Sequence, residues 1–136
     1  MSNVDAVLVD THALLWWQAG GERLSPLATA GIERAEVVYF SPITCWEISM
    51  LVVKERIALD RPVNVWINDL LAGGPAAIAD LTPMIAVAAG ALRDFHGDPA
   101  DRIIYATAVA GRLPLITKDA RLRDAISTND PIEVIW

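Results

Sequence analysis

Short apolar runs alternate along the chain with segments whose apolar residues recur at helical spacing. Ala6-Val7-Leu8-Val9 is apolar and closed by Asp10, a pattern that suits a buried parallel strand. Thr11 then caps a segment running to Gln18, stopped by Gly20-Gly21. Ser25-Pro26 opens a second helix that ends near Ala35, because proline fits the first helical position. The β-branched and aromatic run Val37-Val38-Tyr39-Phe40 is the second strand. Pro42 breaks the chain, and Thr44 caps a helix to about Arg56. Ile57 to Pro62 connects it to a helix over Asn64–Leu71, which ends at Gly73-Gly74-Pro75.

Ala77 to Leu81 reads as the third strand, and Thr82-Pro83 opens a helix to Leu92. Asp98 caps the next helix with Pro99 at its first position. From there to Ala110 the helix is almost wholly apolar, so it is predicted to be buried all round, with a stop at Gly111. Leu113 to Thr117 is a strand with its proline near the beginning, where it is tolerated. A short helix over Asp119–Ile126 and an edge strand over Ile132–Trp136 follow. Strands alternating with helices predict a three-layer α/β/α sandwich with a central, mainly parallel sheet. No linker, repeat or low-complexity run interrupts 136 residues, so residues 1–136 read as one domain.

Composition narrows the class. Hydrophobic residues make up 54% and charged residues 21%, which excludes a disordered chain. A single cysteine, Cys45, excludes an internal disulfide and a cysteine-based zinc site, and a reducing cytoplasm suits it. There is no basic start followed by a long apolar run, so no secretory leader is expected. No apolar stretch approaches the roughly 20 residues that span a bilayer, so no membrane partner is expected. A net charge of −6 counts against a broad nucleic-acid footprint, but a carboxylate site is itself strongly negative until a cation fills it.

Four acids fall at one edge of such a sheet. Asp10 ends the first strand, and Glu47 lies in the first turn of the helix after the second. Asp101 lies in the first turn of the buried helix, and Asp119 follows the strand at Leu113–Thr117. Strand C-termini of a parallel sheet share one edge, where ligand crevices form. Two charges about 4 Å apart interact by roughly 4 kcal/mol at an effective dielectric of about 20. A cluster of four therefore needs protonation or a cation. Oxygen ligands without cysteine or paired histidine select Mg²⁺ or Mn²⁺ over zinc, and such sites usually cleave phosphodiesters. Each acid also has a structural reading. Thr44-x-x-Glu47 is a capping box, Asp98-x-x-Asp101 resembles one, Asp119 suits an N-cap, and Asp10 can start a turn. Spacing alone leaves both readings open.

Four motifs occur in order: Val9-Asp10-Thr11-His12; Ser41-Pro42-Ile43-Thr44-x-Trp46-Glu47-Ile48; His96-x-Asp98-Pro99-Ala100-Asp101-Arg102; and Leu115-Ile116-Thr117-x-Asp119. Through them essentially the whole chain resembles the PIN-domain family, most closely its VapC-type ribonuclease toxins. The Asp-Pro-Ala-Asp-Arg stretch is the most specific part. The resemblance implies a catalytic set of Asp10, Glu47, Asp101 and Asp119 that cuts RNA with Mg²⁺ or Mn²⁺. It implies Asp10 and Asp101 as direct metal ligands, with Glu47 and Asp119 acting through water or on a second metal. It further implies a homodimer neutralised by a VapB-type antitoxin.

Other residues are weighed beside these. Thr11 and Thr117 adjoin the acids and could orient water or a phosphate oxygen. Asp98 is a cap with a possible contact to metal or water, and Arg102 is a candidate for pairing with an acid or meeting RNA phosphate. Lys118, Arg121 and Arg123 form a small basic cluster near Asp119 that reads as a phosphate guide or a solvated helix face. His12 and His96 read as loop or hydrogen-bonding residues. Trp16 and Trp17 are adjacent, so a helix points them about 100° apart; each reads as a core residue with incidental exposure, or one of them as a surface residue that serves a partner. Two rivals stand against the nuclease: a receiver-like phosphoacceptor domain using Lys118, and a non-catalytic binding module of PIN-like fold.

Overall fold

Burial of apolar strands between two helical layers builds the molecule. The computed structural model describes residues 5–95, 97–129 and 132–136. Its elements run β1 (Ala6–Val9), α1 (Thr11–Gln18), α2 (Pro26–Arg34), β2 (Val37–Phe40), α3 (Pro42–Val53) and α4 (Val63–Ala72). They continue with β3 (Ala76–Ile78), α5 (Pro83–Ala91), α6 (Pro99–Gly111), β4 (Leu115–Ile116), α7 (Ala120–Asn129) and β5 (Val134–Ile135).

The sheet has five strands in the order β3-β2-β1-β4-β5, and every pairing is parallel. β5 is an edge, as the sequence predicts. Receiver-like domains place their first strand second in a 2-1-3-4-5 order. The order here differs, which removes that rival. Alternation along β1 divides the core. Val7 and Val9 join a cluster with Leu14, Ile32, Phe40, Ile48 and Trp66, while Leu8 joins Ile104, Tyr105, Leu115, Leu122 and Ile126 on the opposite face. The sheet is thus covered on both sides. The middle of α6 is buried continuously from Ile104 to Ala108, but Asp101 to Ile103 are half-buried and Ala110 is exposed, so the helix is enclosed at its centre and not all round to Ala110 as the sequence predicts.

Two caps differ from expectation. Asp10, not Thr11, caps α1, and Ser41, not Thr44, caps α3. The Ser41 hydroxyl accepts from the Ile43 backbone N–H at 3.1 Å, leaving Pro42 the first helical position. Glu47 therefore lies in the second turn of α3, and the Thr44-x-x-Glu47 capping box is absent. β3 also stops short of Leu81, because Asp80 and Leu81 lead into the Thr82 cap of α5.

α6 ends one residue beyond the expected stop. Arg112, not Gly111, adopts the left-handed conformation (φ 48°), and the Leu113 N–H folds back to the Ala108 carbonyl at 3.0 Å. Gly111 serves a spatial purpose: a Cβ there would lie 3.2 Å from the Leu113 side chain. Leu113 is thereby spent on the helix end, which shortens β4 to Leu115–Ile116. No helix among the described residues is long and apolar enough to cross a membrane.

Candidate active site

The chain reverses direction across the sheet at β1. β2 and β3 lie on one side of it and β4 and β5 on the other. Crevices form where strand order reverses, beyond the strand C-termini. Asp10 leaves β1 at that point and Thr117 leaves β4 beside it. The Thr117 hydroxyl donates to one oxygen of Asp10. The other oxygen accepts from the Ala13 N–H at 2.8 Å, which makes Asp10 the cap of α1. A carboxylate fixed at both oxygens has little freedom left to lose on binding a ligand. Burial pushes the Asp10 carboxyl above its ordinary value, only partly opposed by these two hydrogen bonds.

The other acids converge on the same place. Asp10, Glu47, Asp98, Asp101 and Asp119 line one cleft of about 390 Å³ together with Thr11, His12, Trp16, Lys118 and Arg121. The structure thus brings together all four acids expected at the sheet edge. α6 points its N-terminus at the cleft. Asp98 caps it by accepting from the Asp101 N–H at 3.2 Å, as the sequence predicts. Asp101 is pushed up to about 7, first by burial and then by the negative charges of Asp98, Asp119, Glu47 and Asp10. Asp119 behaves differently. Partial burial raises it, but the hydrogen bonds and charge of Arg121 outweigh burial and hold it below its ordinary value. The Arg121 guanidinium lies 3.3 Å from Asp119 and 3.8 Å from Asp101, so it supplies one positive charge between them.

Among the described residues, no group of three or more His, Cys, Asp or Glu side chains is drawn close enough to hold a metal ion by itself. An open crevice of oxygen donors with a repelled carboxylate fits a hard divalent cation that keeps part of its water shell. Arg121 occupies the electrostatic role such a cation would fill.

The neighbouring side chains divide into cleft and support. Thr11 is buried, and its hydroxyl meets that of Thr44 at 3.0 Å, bracing α1 against α3. Thr44, taken from sequence as a helix cap, has this bracing role instead. Thr117 also accepts from the Asp119 N–H at 3.0 Å, so one hydroxyl links two of the acids. Arg102 is engaged by the protein rather than held out for phosphate. It donates to the carbonyls of Ala89, Gly90, Leu92 and Phe95 and lies over the Phe95 ring. That ties α6 to the end of α5. His96 lies outside the described residues. Trp16 and Trp17 are both half-buried against the core, so neither is simply a surface residue. The position of Trp16 on the cleft wall was not anticipated from sequence. Its signal was the spacing from His12, which places both rings on one face of α1.

A second cavity of about 610 Å³ lies between α5 and the end of α6 and has one acid, Asp80, on its lining. The chemistry therefore belongs to the smaller cleft. An all-parallel α/β/α sandwich with an acidic crevice at its switch point defines the class of protein. The PIN domain model matches residues 7–126, and the chain belongs to the PIN-domain family. A relative, Ribonuclease VapC22 of Mycobacterium tuberculosis (strain ATCC 25618 / H37Rv), is 42% identical over 118 residues, covering 86% of this chain and 89% of its own. Among solved structures, a toxin–antitoxin complex from Klebsiella pneumoniae matches with a TM-score of 0.59 at 26% identity, covering 83% of this chain and 86% of its own. VapBC2 from Rickettsia felis, bound to a DNA fragment from its promoter, matches with a TM-score of 0.67 at 15% identity, covering 96% and 99%. That last likeness bears on the fold.

Proposed function

We propose that this chain is a metal-dependent endoribonuclease and the toxin of a VapBC-type toxin–antitoxin pair. The observation that carries the reading is the convergence of Asp10, Glu47, Asp101 and Asp119 on one cleft. Kinship to a named ribonuclease at 42% identity supports RNA as the substrate. Likeness to a toxin–antitoxin complex supports a VapB-type antitoxin as partner.

Asp10 and Asp101 would hold the cation directly, with Glu47 and Asp119 reaching it through water. Mg²⁺ is the natural occupant and Mn²⁺ a substitute, given a donor set made of oxygens. The bound ion would supply Lewis-acid polarisation of the phosphodiester and a more acidic water. The chain's own residues prepare that chemistry. Thr117 and the Ala13 N–H orient Asp10. Asp98 fixes the turn that presents Asp101. Arg121 keeps Asp119 ionised and is exposed enough to shift onto a phosphate oxygen of the substrate.

Residues 1–136 act as one nuclease domain, at work in the cytoplasm where its RNA is found. A homodimer is the assembled form. α5 supports this, because Met84 and Val87 lie three residues apart on it, 72% and 63% exposed. Apolar exposure of that kind on one helix face marks a contact surface.

The deciding experiment is cleavage of a cellular RNA pool by the purified, antitoxin-free chain. Cleavage should require Mg²⁺ or Mn²⁺, stop with EDTA, and fall by at least about a thousandfold in Asp101→Asn. A folded wild-type chain that cuts nothing with either metal, and binds neither by calorimetry, would leave the family's binding-module alternative.

A further inference from the structure

Trp16 is the wall between two cavities. It lines the acidic cleft and also a neighbouring cavity of about 510 Å³, bordered by His12, Glu22, Arg23, Arg56 and Leu59. Its indole is held in place by tilted neighbours. The His12 ring lies 5.8 Å away at 50° and the Trp136 ring 5.8 Å away at 57°. Lys118 Nζ sits over the indole, 5.8 Å from its centroid. A half-buried tryptophan that only fills the core needs neither a cation on its face nor a cavity on each side.

We propose that Trp16 is the stacking platform of a nucleobase subsite, taking the base beside the scissile phosphate of single-stranded RNA. The proposal rests on the ribonuclease reading and names how that site grips its substrate. An acidic chain of net charge −6 cannot hold RNA by its overall field. Affinity must come from local contacts. Base–aromatic stacking is sequence-tolerant, because every base has a π face. Lys118 marks the indole face that faces the cleft. A base stacking there displaces an exposed, flexible ammonium onto the adjoining phosphate. Beyond the wall, Arg23 and Arg56 border the second cavity against a single acid, Glu22. Cations therefore border both cavities that Trp16 lines. A nucleotide chain has this same order of charge, ring and charge.

The test is binding of a short, mixed-sequence single-stranded RNA to the full chain, followed by fluorescence anisotropy. It is run with Mg²⁺ in an Asp101→Asn background, so that nothing is cut. Trp16→Ala should weaken binding by about 10- to 100-fold, and Trp16→Phe should restore most of it. Arg56→Ala should lower the slope of log affinity against log salt by about 0.7, the value for one phosphate contact on a single strand. A second arm leaves the ring intact and replaces the bases of the RNA by abasic nucleotides. Abasic RNA should bind the unaltered ring about 10- to 100-fold more weakly than intact RNA, a comparison that needs no folded Trp16→Ala. Equal affinity of intact and abasic RNA, or of Trp16 and Trp16→Ala, overturns the subsite. So does a Trp16→Ala chain that keeps its RNA but loses its antitoxin, since the wall would then belong to the protein partner. Failure of the ribonuclease reading is seen separately, as absence of metal-dependent cleavage by the wild-type chain.

Discussion

Asp101 gives the site a carboxyl that titrates near neutral pH. Its carboxyl holds a proton in the folded chain up to about pH 7, whereas the unfolded chain releases it near 3.8. Between those values the folded state binds more protons, so its stability is fully present below the lower value and falls as pH rises toward the upper one. Thermal melts of the metal-free protein should therefore show Tm declining from about pH 5 to about pH 8. Asp101→Asn should reduce that decline, leaving the part that comes from buried Asp10, and saturating Mg²⁺, which stabilises only the folded state, should reduce it further. A Tm that climbs across this window in EDTA would contradict the burial and charge assigned to Asp101. The acid itself was legible in the sequence, because Asp98-Pro99 fixes the first turn of an apolar helix. What its neighbours do to it was not. Asp119, 18 positions later, is held low by Arg121, and only the folded geometry places that guanidinium between the two acids.

At the level of elements, strand and helix order could be read almost completely from apolar periodicity and from Ser-Pro, Thr-Pro and Asp-Pro starts. The starts of α1 and α3 could not. A hydroxyl next to a helical run can cap it, but Asp10 and Ser41 lie upstream of Thr11 and Thr44 and reach the free N–H groups first. Local rules do not distinguish a threonine that caps from one that braces a neighbouring helix. Thr11 and Thr44 meet across 33 positions, a contact that sequence spacing does not encode. The assignment has a measurable consequence. Ser41→Ala should cost about 1 kcal/mol in chemical denaturation, the usual loss for a helix cap. Thr44→Val should leave helix α3 intact by circular dichroism while loosening the packing of α1.

For the molecule as a whole, the remaining question is which surfaces meet other chains. Replacing Met84 and Val87 together by Glu and Lys should convert a dimer to a monomer in sedimentation velocity without lowering Tm by more than about 2 °C, since both side chains stand in solvent. A pair variant that stays dimeric would move the interface elsewhere, and exposed Trp46 and Val53 on α3 offer the alternative. Sequence could not locate this face. An apolar helix reads the same whether it is covered by its own fold or by a second copy. A mainly parallel sheet was predictable, because its short apolar strands alternate with helices, and the structure makes every pairing parallel. Its order was not, since it depends on crossovers that leave no local signature.

The bond between Thr117 and Asp10 joins positions 107 residues apart, and it sits where β4 slots in beside β1. A ribosome making this chain must release almost the entire fold before that slot can close. Until then Asp10 lacks its Thr117 anchor and Asp119 is not yet in place beside it, so a partly synthesised chain has an incomplete crevice. The crevice therefore depends on a contact that only a nearly complete domain can make.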